Sequence, residues 1–230
     1  MRKLVGTFAL SISLYAIVPC DANTVVAVNA GSTLATAEDL TGMYPTEIVG
    51  TLSGANPNDV SIFNIFNLQP TNFSAITVAP GAFGIPDTVL SLFKSSGAGI
   101  YLNDDISGAN TLSCLSSSGA GNPCPTSGTT LPVGDYYLAI SRSANYPVDG
   151  SNNEIFNPPS STDLVGPSSL GPVAGWDDGS FTSPDTDLVS YDIILTGATA
   201  PEPASWLLTA MGAGFFLELL RRRRLVSKRG

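Results

Sequence analysis

The chain contains no histidine, and this absence excludes much of the chemistry that enzymes use. Neither a Ser-His-Asp nor a Cys-His arrangement can form, and no metal can be held by imidazole. No serine lies in a Gly-x-Ser-x-Gly sequence, the turn that presents the nucleophile in many hydrolases. Glutamate is also scarce, since residues 23–200 include only Glu38, Glu47 and Glu154. We therefore expect a protein that is not an enzyme.

One enzymatic alternative is compatible with these absences. Glycoside hydrolysis needs only two carboxylates, and the distance between them is not visible in a sequence. A secreted hydrolase with such an acidic pair therefore stays open as the alternative function. The candidate residues are Asp59, Asp87, Asp104, Asp105 and Asp135.

Positive charge is nearly missing from the middle of the chain. Of ten Lys and Arg residues, only Lys94 and Arg142 lie between residues 23 and 200. The same stretch holds 16 of the 19 acidic residues, so two cations face 16 anions and the net charge is −14. Nucleic acid is excluded as a partner, because its phosphates require a cationic surface, whereas divalent cations are attracted.

The first 22 residues have the parts of a secretory signal peptide. Arg2 and Lys3 precede an apolar run from Leu4 to Val18, and the small residue Ala22 closes the segment. This order predicts a signal helix that directs export by the Sec machinery and is removed by signal peptidase.

The sequence leaves the position of signal cleavage open. Cleavage after Ala22 is the first choice, and Val28-Asn29-Ala30 offers a second site. A lipoprotein would instead begin at Cys20, but Pro19 stands where such a signal has a small residue.

Cysteine is rare, with three residues in the chain. If Cys20 leaves with the signal peptide, Cys114 and Cys124 remain as a pair in a loop rich in Ser and Gly. In an exported protein such a pair predicts a disulfide. Zinc is a poor alternative, because two cysteines without histidine do not complete a tetrahedral site.

Residues 23–200 show the pattern of an all-β domain. Short apolar runs alternate with Gly, Pro, Ser, Thr, Asn and Asp about every ten residues, and no helical period extends over three turns. One helical turn is expected over residues 35–40, with Thr33 as its cap. Seven strands are predicted, over residues 46–52, 60–66, 73–78, 89–93, 100–103, 136–141 and 188–195.

A segment at about residues 145–186 differs from the rest of this domain. It is rich in Pro, Ser, Gly and Asp and has few apolar residues, which predicts a long loop or a partly ordered insertion. Trp176 is expected to pin this segment to the sandwich rather than to bind a ligand.

The C-terminal region predicts a single transmembrane helix. Residues 204–220 are apolar except for Glu218, and 17 residues at about 1.5 Å each span roughly 25 Å. Arg221, Arg222, Arg223 and Arg224 follow directly and should stay cytoplasmic with the basic tail at 225–230. On hydropathy alone this segment is an ordinary membrane anchor.

The triplet Pro201-Glu202-Pro203 before that helix favours an extended, accessible backbone. Together with the helix and the arginines, it resembles the PEP-CTERM sorting signal of Gram-negative bacteria, over residues 201–224. The resemblance implies recognition by the membrane protease exosortase, with Glu202 as the recognition residue. It also implies anchoring in the inner membrane before processing, and then release for display at the cell surface or outside the cell.

Five segments in the first two thirds of the domain follow one another in a recognisable order: Ile48 to Leu52, Asn58 to Phe63, Asp87 to Phe93, Asn103-Asp104-Asp105 and Leu131 to Ile140. In this order they resemble bacterial pre-peptidase C-terminal domains, called PPC-like, over roughly residues 31–141. The resemblance implies a jelly-roll-like antiparallel β-sandwich that serves as an accessory module or contacts carbohydrate or matrix. One departure is Ser61, where the family commonly has a second Asp.

Four aspartates are candidate metal ligands at one end of this sandwich: Asp59, Asp87, Asp104 and Asp105. Calcium takes six to eight oxygen ligands, which carboxylates supply. The competing interpretation is that these are turn residues, since Asn and Asp bond their own backbone in loops. The sequence as a whole predicts an exported, non-catalytic surface or matrix protein, with exopolysaccharide as a candidate partner.

Overall fold

The computed structural model describes residues 23–28, 30–53, 59–79, 87–117, 124, 130–156, 162–177 and 188–198. The predicted signal helix at 1–22, the sorting motif and helix at 201–224, and the basic tail at 225–230 lie outside these residues. Within the described residues, no helix has the length and apolar character needed to cross a membrane.

The described part of the chain is all-β, as predicted, with one 3₁₀ turn at Leu34–Thr36. Its twelve strands are β1 Thr24–Val26, β2 Glu38–Asp39, β3 Glu47–Ser53, β4 Ser61–Asn67, β5 Ser74–Val78, β6 Thr88–Lys94, β7 Gly99–Asn103, β8 Cys114–Ser116, β9 Gly134–Arg142, β10 Tyr146–Asp149, β11 Val173–Asp177 and β12 Leu188–Thr196.

Ten strands form two five-stranded sheets. Sheet one has the order β1-β3-β12-β5-β8, and sheet two has the order β2-β4-β9-β6-β7. Neighbours run antiparallel except at one edge of each sheet, where β1 is parallel to β3 and β2 is parallel to β4. The two remaining strands, β10 and β11, pair with each other.

The main hydrophobic core lies between the two sheets. Alternate residues of each strand face inward, because successive side chains of a strand point to opposite faces. Sheet one contributes Ile48, Leu52, Tyr191, Ile193 and Leu195, and sheet two contributes Phe63, Ile65, Leu90, Leu92, Leu138 and Ile140. The fold is therefore a β-sandwich.

A second core covers the outer face of sheet two. Ile62, Val89, Phe93, Leu102 and Ala139 lie on this face and are buried together with Ile155 and Phe156. Sheet two is thus buried on both sides. This explains why β4 and β6 depart from strict alternation and bury residues on both faces.

The segment after β9 supplies the cover of this second core, so its described part fits the predicted partly ordered insertion rather than the predicted long loop. It contains β10 and β11 and buries Ile155 and Phe156 completely. Its apolar residues are few but are concentrated where they contact sheet two. The predicted role of Trp176 is confirmed: its ring packs edge-on against Phe93 at 6.4 Å between centroids, and its Nε1 donates a 3.1 Å hydrogen bond to the Ser32 backbone oxygen.

All seven predicted strands are present, with bounds that differ by at most two residues. Outside residues 145–186, three observed strands had not been predicted: β1, β2 and β8, which have two or three residues each. Such short segments carry no readable period, and pairing with longer strands defines them. The predicted helical turn is shorter than expected, because Glu38 and Asp39 pair with β4 instead.

Candidate functional site

Three aspartates meet where β6 begins and β7 ends. Asp87 directly precedes β6, and Asp104 and Asp105 directly follow β7. Because β6 and β7 are antiparallel neighbours, the start of one strand lies beside the end of the other. One carboxylate oxygen from each of these residues lies within 4.8 Å of the other two. We call these three residues the aspartate cluster.

Two other predicted site residues do not belong to this cluster. Asp59 precedes β4, which β9 separates from β6, and its charge acts on Tyr191 of sheet one. Asp135 lies near the start of β9, whereas Arg142 at the far end of that strand pairs with Thr88 beside the cluster. The predicted set of four metal ligands is therefore corrected to three, and Asp135 is too distant to act with them.

Buried hydroxyl groups fix the backbone beneath the aspartate cluster. The Thr88 Oγ1 lies 3.0 Å from the Thr77 Oγ1 and 2.9 Å from the Ser113 Oγ. The Ser113 hydroxyl donates a 2.8 Å hydrogen bond to the backbone oxygen of Asp104. Thr77 belongs to sheet one and Thr88 to sheet two. The position of Asp104 is thus set by contacts that cross the sandwich.

Asn103, the last residue of β7, ties the backbone of the cluster residue Asp105 to two other parts of the chain. Its Nδ2 donates to the backbone oxygens of Asp105 at 3.0 Å and Asp163 at 3.2 Å. Its Oδ1 accepts a 2.7 Å hydrogen bond from the Cys114 backbone nitrogen. Cys114 forms a disulfide with Cys124, with 5.3 Å between the Cα atoms. The predicted cysteine pairing is present, and it anchors the strand that follows the site.

Asp104 is the buried member of the cluster, with 6% of its surface exposed. Its Oδ2 accepts a 3.0 Å hydrogen bond from the Tyr146 hydroxyl, whereas its Oδ1 is buried without a hydrogen-bond partner among the described residues. Burial raises the pKa of Asp104 from 3.8 to about 6. The charges of Asp105 and Asp87 raise it further, whereas hydrogen bonds from the side chains of Tyr146 and Ser143 oppose this shift. A buried carboxylate in this state is costly unless a proton or a cation compensates its charge.

The other two aspartates respond to the same crowding. Burial raises the pKa of Asp87 although its surface is the most exposed of the three, and the charge of Asp105 raises it further. The Ser143 hydroxyl and the Arg142 charge lower the pKa of Asp87, but they do not cancel the increase. Burial also raises the pKa of Asp105. All three shifts go in the direction expected for carboxylates removed from water, and the charges of neighbouring aspartates add to the shifts of Asp87 and Asp104.

Tyr146 is a site residue that the sequence did not indicate. It lies in β10, 42 residues after Asp104, inside the segment predicted to be a loop. Burial and the charge of Asp104 raise the pKa of its hydroxyl, so the group stays protonated and donates to the carboxylate. No spacing rule connects these two residues, because the fold alone brings β10 against the end of β7.

A groove lies at the opposite end of sheet two. It has a volume of about 580 Å³, and its wall includes Tyr101, Tyr136, Lys94 and Asp135 together with the segment 130–134. The Tyr136 hydroxyl donates a 2.9 Å hydrogen bond to the Pro132 backbone oxygen, which fixes that segment against the sheet. Lys94 in this groove lies seven residues along β6 from Asp87 of the aspartate cluster, a distance of about 23 Å at 3.3 Å per residue.

Comparisons with protein-family models, with curated proteins and with solved structures gave no match for this chain.

Proposed function

We propose that this chain is an exported, non-catalytic cell-surface or extracellular-matrix protein whose β-sandwich binds Ca²⁺ at the aspartate cluster. The observation that carries the proposal is Asp104, a carboxylate that is 6% exposed and has one buried oxygen without a partner among the described residues. That carboxylate lies within 4.8 Å of two others.

The charge of the domain argues for compensation from outside the chain. Three carboxylates meet at the cluster, and residues 23–200 include only Lys94 and Arg142 as cations. The charge of Arg142 acts on Asp87, whereas Lys94 lies at the far end of β6. One arginine neutralises a single carboxylate at most, so at neutral pH a divalent cation is the natural counter-charge for the remaining two.

The ligand chemistry favours calcium over other divalent cations. Carboxylate oxygens are hard ligands, and the sequence has no histidine to select zinc or copper. Calcium–oxygen distances of about 2.3–2.6 Å place opposite ligands about 5 Å apart, which agrees with the 4.8 Å limit within the cluster. Three aspartates supply three to six oxygens, and water completes the shell. Bound there, the ion would join the start of β6 to the end of β7.

The export and sorting parts of the proposal rest on the two ends of the sequence. The charged and apolar N-terminal segment supports Sec-dependent export and removal by signal peptidase. Pro201-Glu202-Pro203, the apolar run and the four arginines support sorting by exosortase from the inner membrane to the cell surface or the medium. The disulfide between Cys114 and Cys124 suits an oxidising compartment. A jelly-roll-like, PPC-like ancestry of the sandwich is part of the same proposal.

We assign exopolysaccharide contact to the groove at the other end of sheet two. Its volume lies within the range of about 300–1,000 Å³ that small-molecule sites occupy, and it combines two tyrosines with one ammonium and one carboxylate. Lys94 and Asp135 give this groove one charge of each sign in a domain with a net charge of −14, so a neutral sugar is favoured over an acidic one. Loss of polysaccharide binding in Lys94→Ala, with unchanged melting temperature, is the expected result.

Calcium titration tests the central proposal. We expect the melting temperature to rise with Ca²⁺ and to fall again when a chelator is added, with no turnover of polysaccharides or peptides. Absence of calorimetric binding at millimolar Ca²⁺ would reject the calcium site. Turnover that a single Asp→Asn change abolishes, in a folded protein, would establish the acidic-pair hydrolase instead.

Intact mass spectrometry tests the sorting proposal separately. A chain that ends near Pro201 in the surface or medium fraction is expected. A chain that runs to Gly230 and occurs in the membrane fraction alone would leave an ordinary anchored domain.

A further inference from the structure

Strand β1 begins directly after the first of the two predicted cleavage sites. Thr24, Val25 and Val26 pair in parallel with Glu47, Ile48 and Val49 of β3. Val25 and Ala27 pack against the main core, whereas Val26 and Val28 are 62% and 75% exposed. This alternation is that of a half-buried edge strand, so residues 24–28 are an integral part of sheet one.

Asn23 is also tied into the sandwich. Its backbone oxygen accepts a 3.0 Å hydrogen bond from the Thr46 nitrogen, and its side-chain nitrogen donates to the Met43 backbone oxygen. At the other end of β1, the Ala27 nitrogen donates to the Val49 oxygen at 2.8 Å. Asn23 itself is exposed, so a new terminal ammonium at this residue stays in water.

The second predicted site is placed differently. Ala30 packs against the main core. The backbone nitrogen and oxygen of Gly31 both form hydrogen bonds. The Gly31 nitrogen donates to the Thr36 oxygen, and the Gly31 oxygen accepts from the Ile62 nitrogen, each at 3.0 Å. The Thr36 side chain lies so close to Gly31 that a Cβ added to this glycine would be 2.1 Å from the Thr36 Oγ1. A terminus created at Gly31 would put an ammonium into this packed position and would remove β1.

We infer that the bond between Ala22 and Asn23 is the signal-peptidase site, and that β1 is kept in the mature protein as the edge strand of sheet one. This inference rests on the proposed export of the chain. The alternative product, which begins at Gly31, would leave one side of β3 without its hydrogen-bonding partner. An exposed row of backbone donors and acceptors on a long strand promotes association with other chains.

The test uses the full chain, expressed in a Gram-negative host, with the N-terminal mass of the exported protein as the readout. We expect the mature chain to begin at Asn23. Val28→Arg removes the small apolar residue of the second site at an exposed position and should leave this mass unchanged. Ala22→Arg blocks the first site and should prevent accumulation of mature protein beginning at Asn23.

Each other outcome has a defined meaning. A mature chain that begins at Gly31 overturns the inference while export stands. A chain that begins at a lipid-modified Cys20 does the same. A chain that still begins at Met1 overturns both the inference and the proposed export.

A deletion of residues 23–30 in the full chain tests the physical reason. Its signal peptide is still followed by a small-residue site, but the exported product lacks β1. We expect its melting temperature to fall by about 10 °C, from the loss of about four backbone hydrogen bonds and the apolar contacts of Val25 and Ala27. An unchanged melting temperature would show that β1 is dispensable and would overturn the argument for the Ala22 site.

Discussion

Replacement of Asp104 by Asn should stabilise the protein without calcium and destroy its response to calcium. Asparagine keeps the shape of the side chain and can still accept the hydrogen bond from Tyr146. It removes the charge that burial and the neighbouring carboxylates make unfavourable. If the carboxylate had a purely structural role, Asp104→Asn would instead destabilise the protein in the absence of calcium.

The size of this effect follows from the pKa of Asp104. Its pKa is raised from 3.8 to about 6 in the folded state, so the folded protein binds this proton more tightly than the unfolded chain does. The free energy of unfolding therefore decreases as the pH rises from about 4 to about 6, and then stays level. At about 1.4 kcal/mol per pKa unit, the penalty at pH 7 is at most about 3 kcal/mol. This limit already includes the opposing effect of the Tyr146 hydrogen bond, so it is also the largest gain expected for Asp104→Asn.

Urea unfolding at several pH values measures both parts of the prediction. In a chelator at pH 7 we expect Asp104→Asn to exceed the wild type by about 1–3 kcal/mol, and we expect the gain to disappear at pH 4. Calcium at 100 times its dissociation constant should stabilise the wild type by about 2.7 kcal/mol and the variant by much less. Calcium affinity of the wild type should weaken below pH 6, because protons compete for Asp104.

The matched control is Asp135→Asn, which removes an exposed carboxylate near the start of β9, away from the cluster. It should change neither the pH dependence nor the calcium response. The reasoning is refuted if Asp104→Asn is less stable than the wild type in a chelator by the same amount at pH 4 and pH 7. It is also refuted if the variant keeps the full stabilisation by calcium.

Three further substitutions test other parts of the structure. Gly99→Ala should lower the free energy of unfolding by about 1–3 kcal/mol, as measured by urea unfolding. A Cβ at this position would lie 2.6 Å from Ile155 and 2.8 Å from Phe156, so it would push these residues of the second core away from sheet two. Asp149→Asn should reduce the loss of stability between about pH 4 and pH 2. The pKa of Asp149 is lowered to about 2 by hydrogen bonds in the folded state, so its contribution is present above pH 4 and is lost as the pH falls through 2; urea midpoints over this range detect the difference. Cys114→Ser should lower the free energy of unfolding by about 2–3 kcal/mol under oxidising conditions, since it opens a loop with a sequence separation of 10.

Each of these substitutions has a control. Gly42→Ala places a Cβ where no atom lies within 4 Å and should be nearly neutral. Equal destabilisation by the two glycine substitutions would contradict the proposed packing of the second core. If the urea midpoints of the wild type and of Asp149→Asn fall equally between pH 4 and pH 2, the Asp149 carboxylate does not contribute to stability. Cys114→Ser and the reduced wild type should be equally stable, and a large difference between them would point to packing of the thiol instead.

Much of the sandwich follows from local patterns in the sequence. The seven predicted strands are short apolar runs bounded by turn residues, a pattern that is visible in any window of the chain, and all seven are present. The two cysteines are ten residues apart in the sequence, so their bridge could be predicted without knowledge of the fold. The acidic excess and the two terminal segments are likewise properties of composition and order.

The tertiary structure alone decides which distant residues meet, because strand pairing depends on contacts between segments far apart in the chain. The sequence placed Asp59 with Asp87 and Asp104, but β9 enters the sheet between β4 and β6 and separates Asp59 from the cluster. Tyr146 reaches Asp104 because β10 folds back over sheet two. Burial of a single carboxylate among these elements raises its pKa, so the chemistry of the site depends on packing rather than on any local motif.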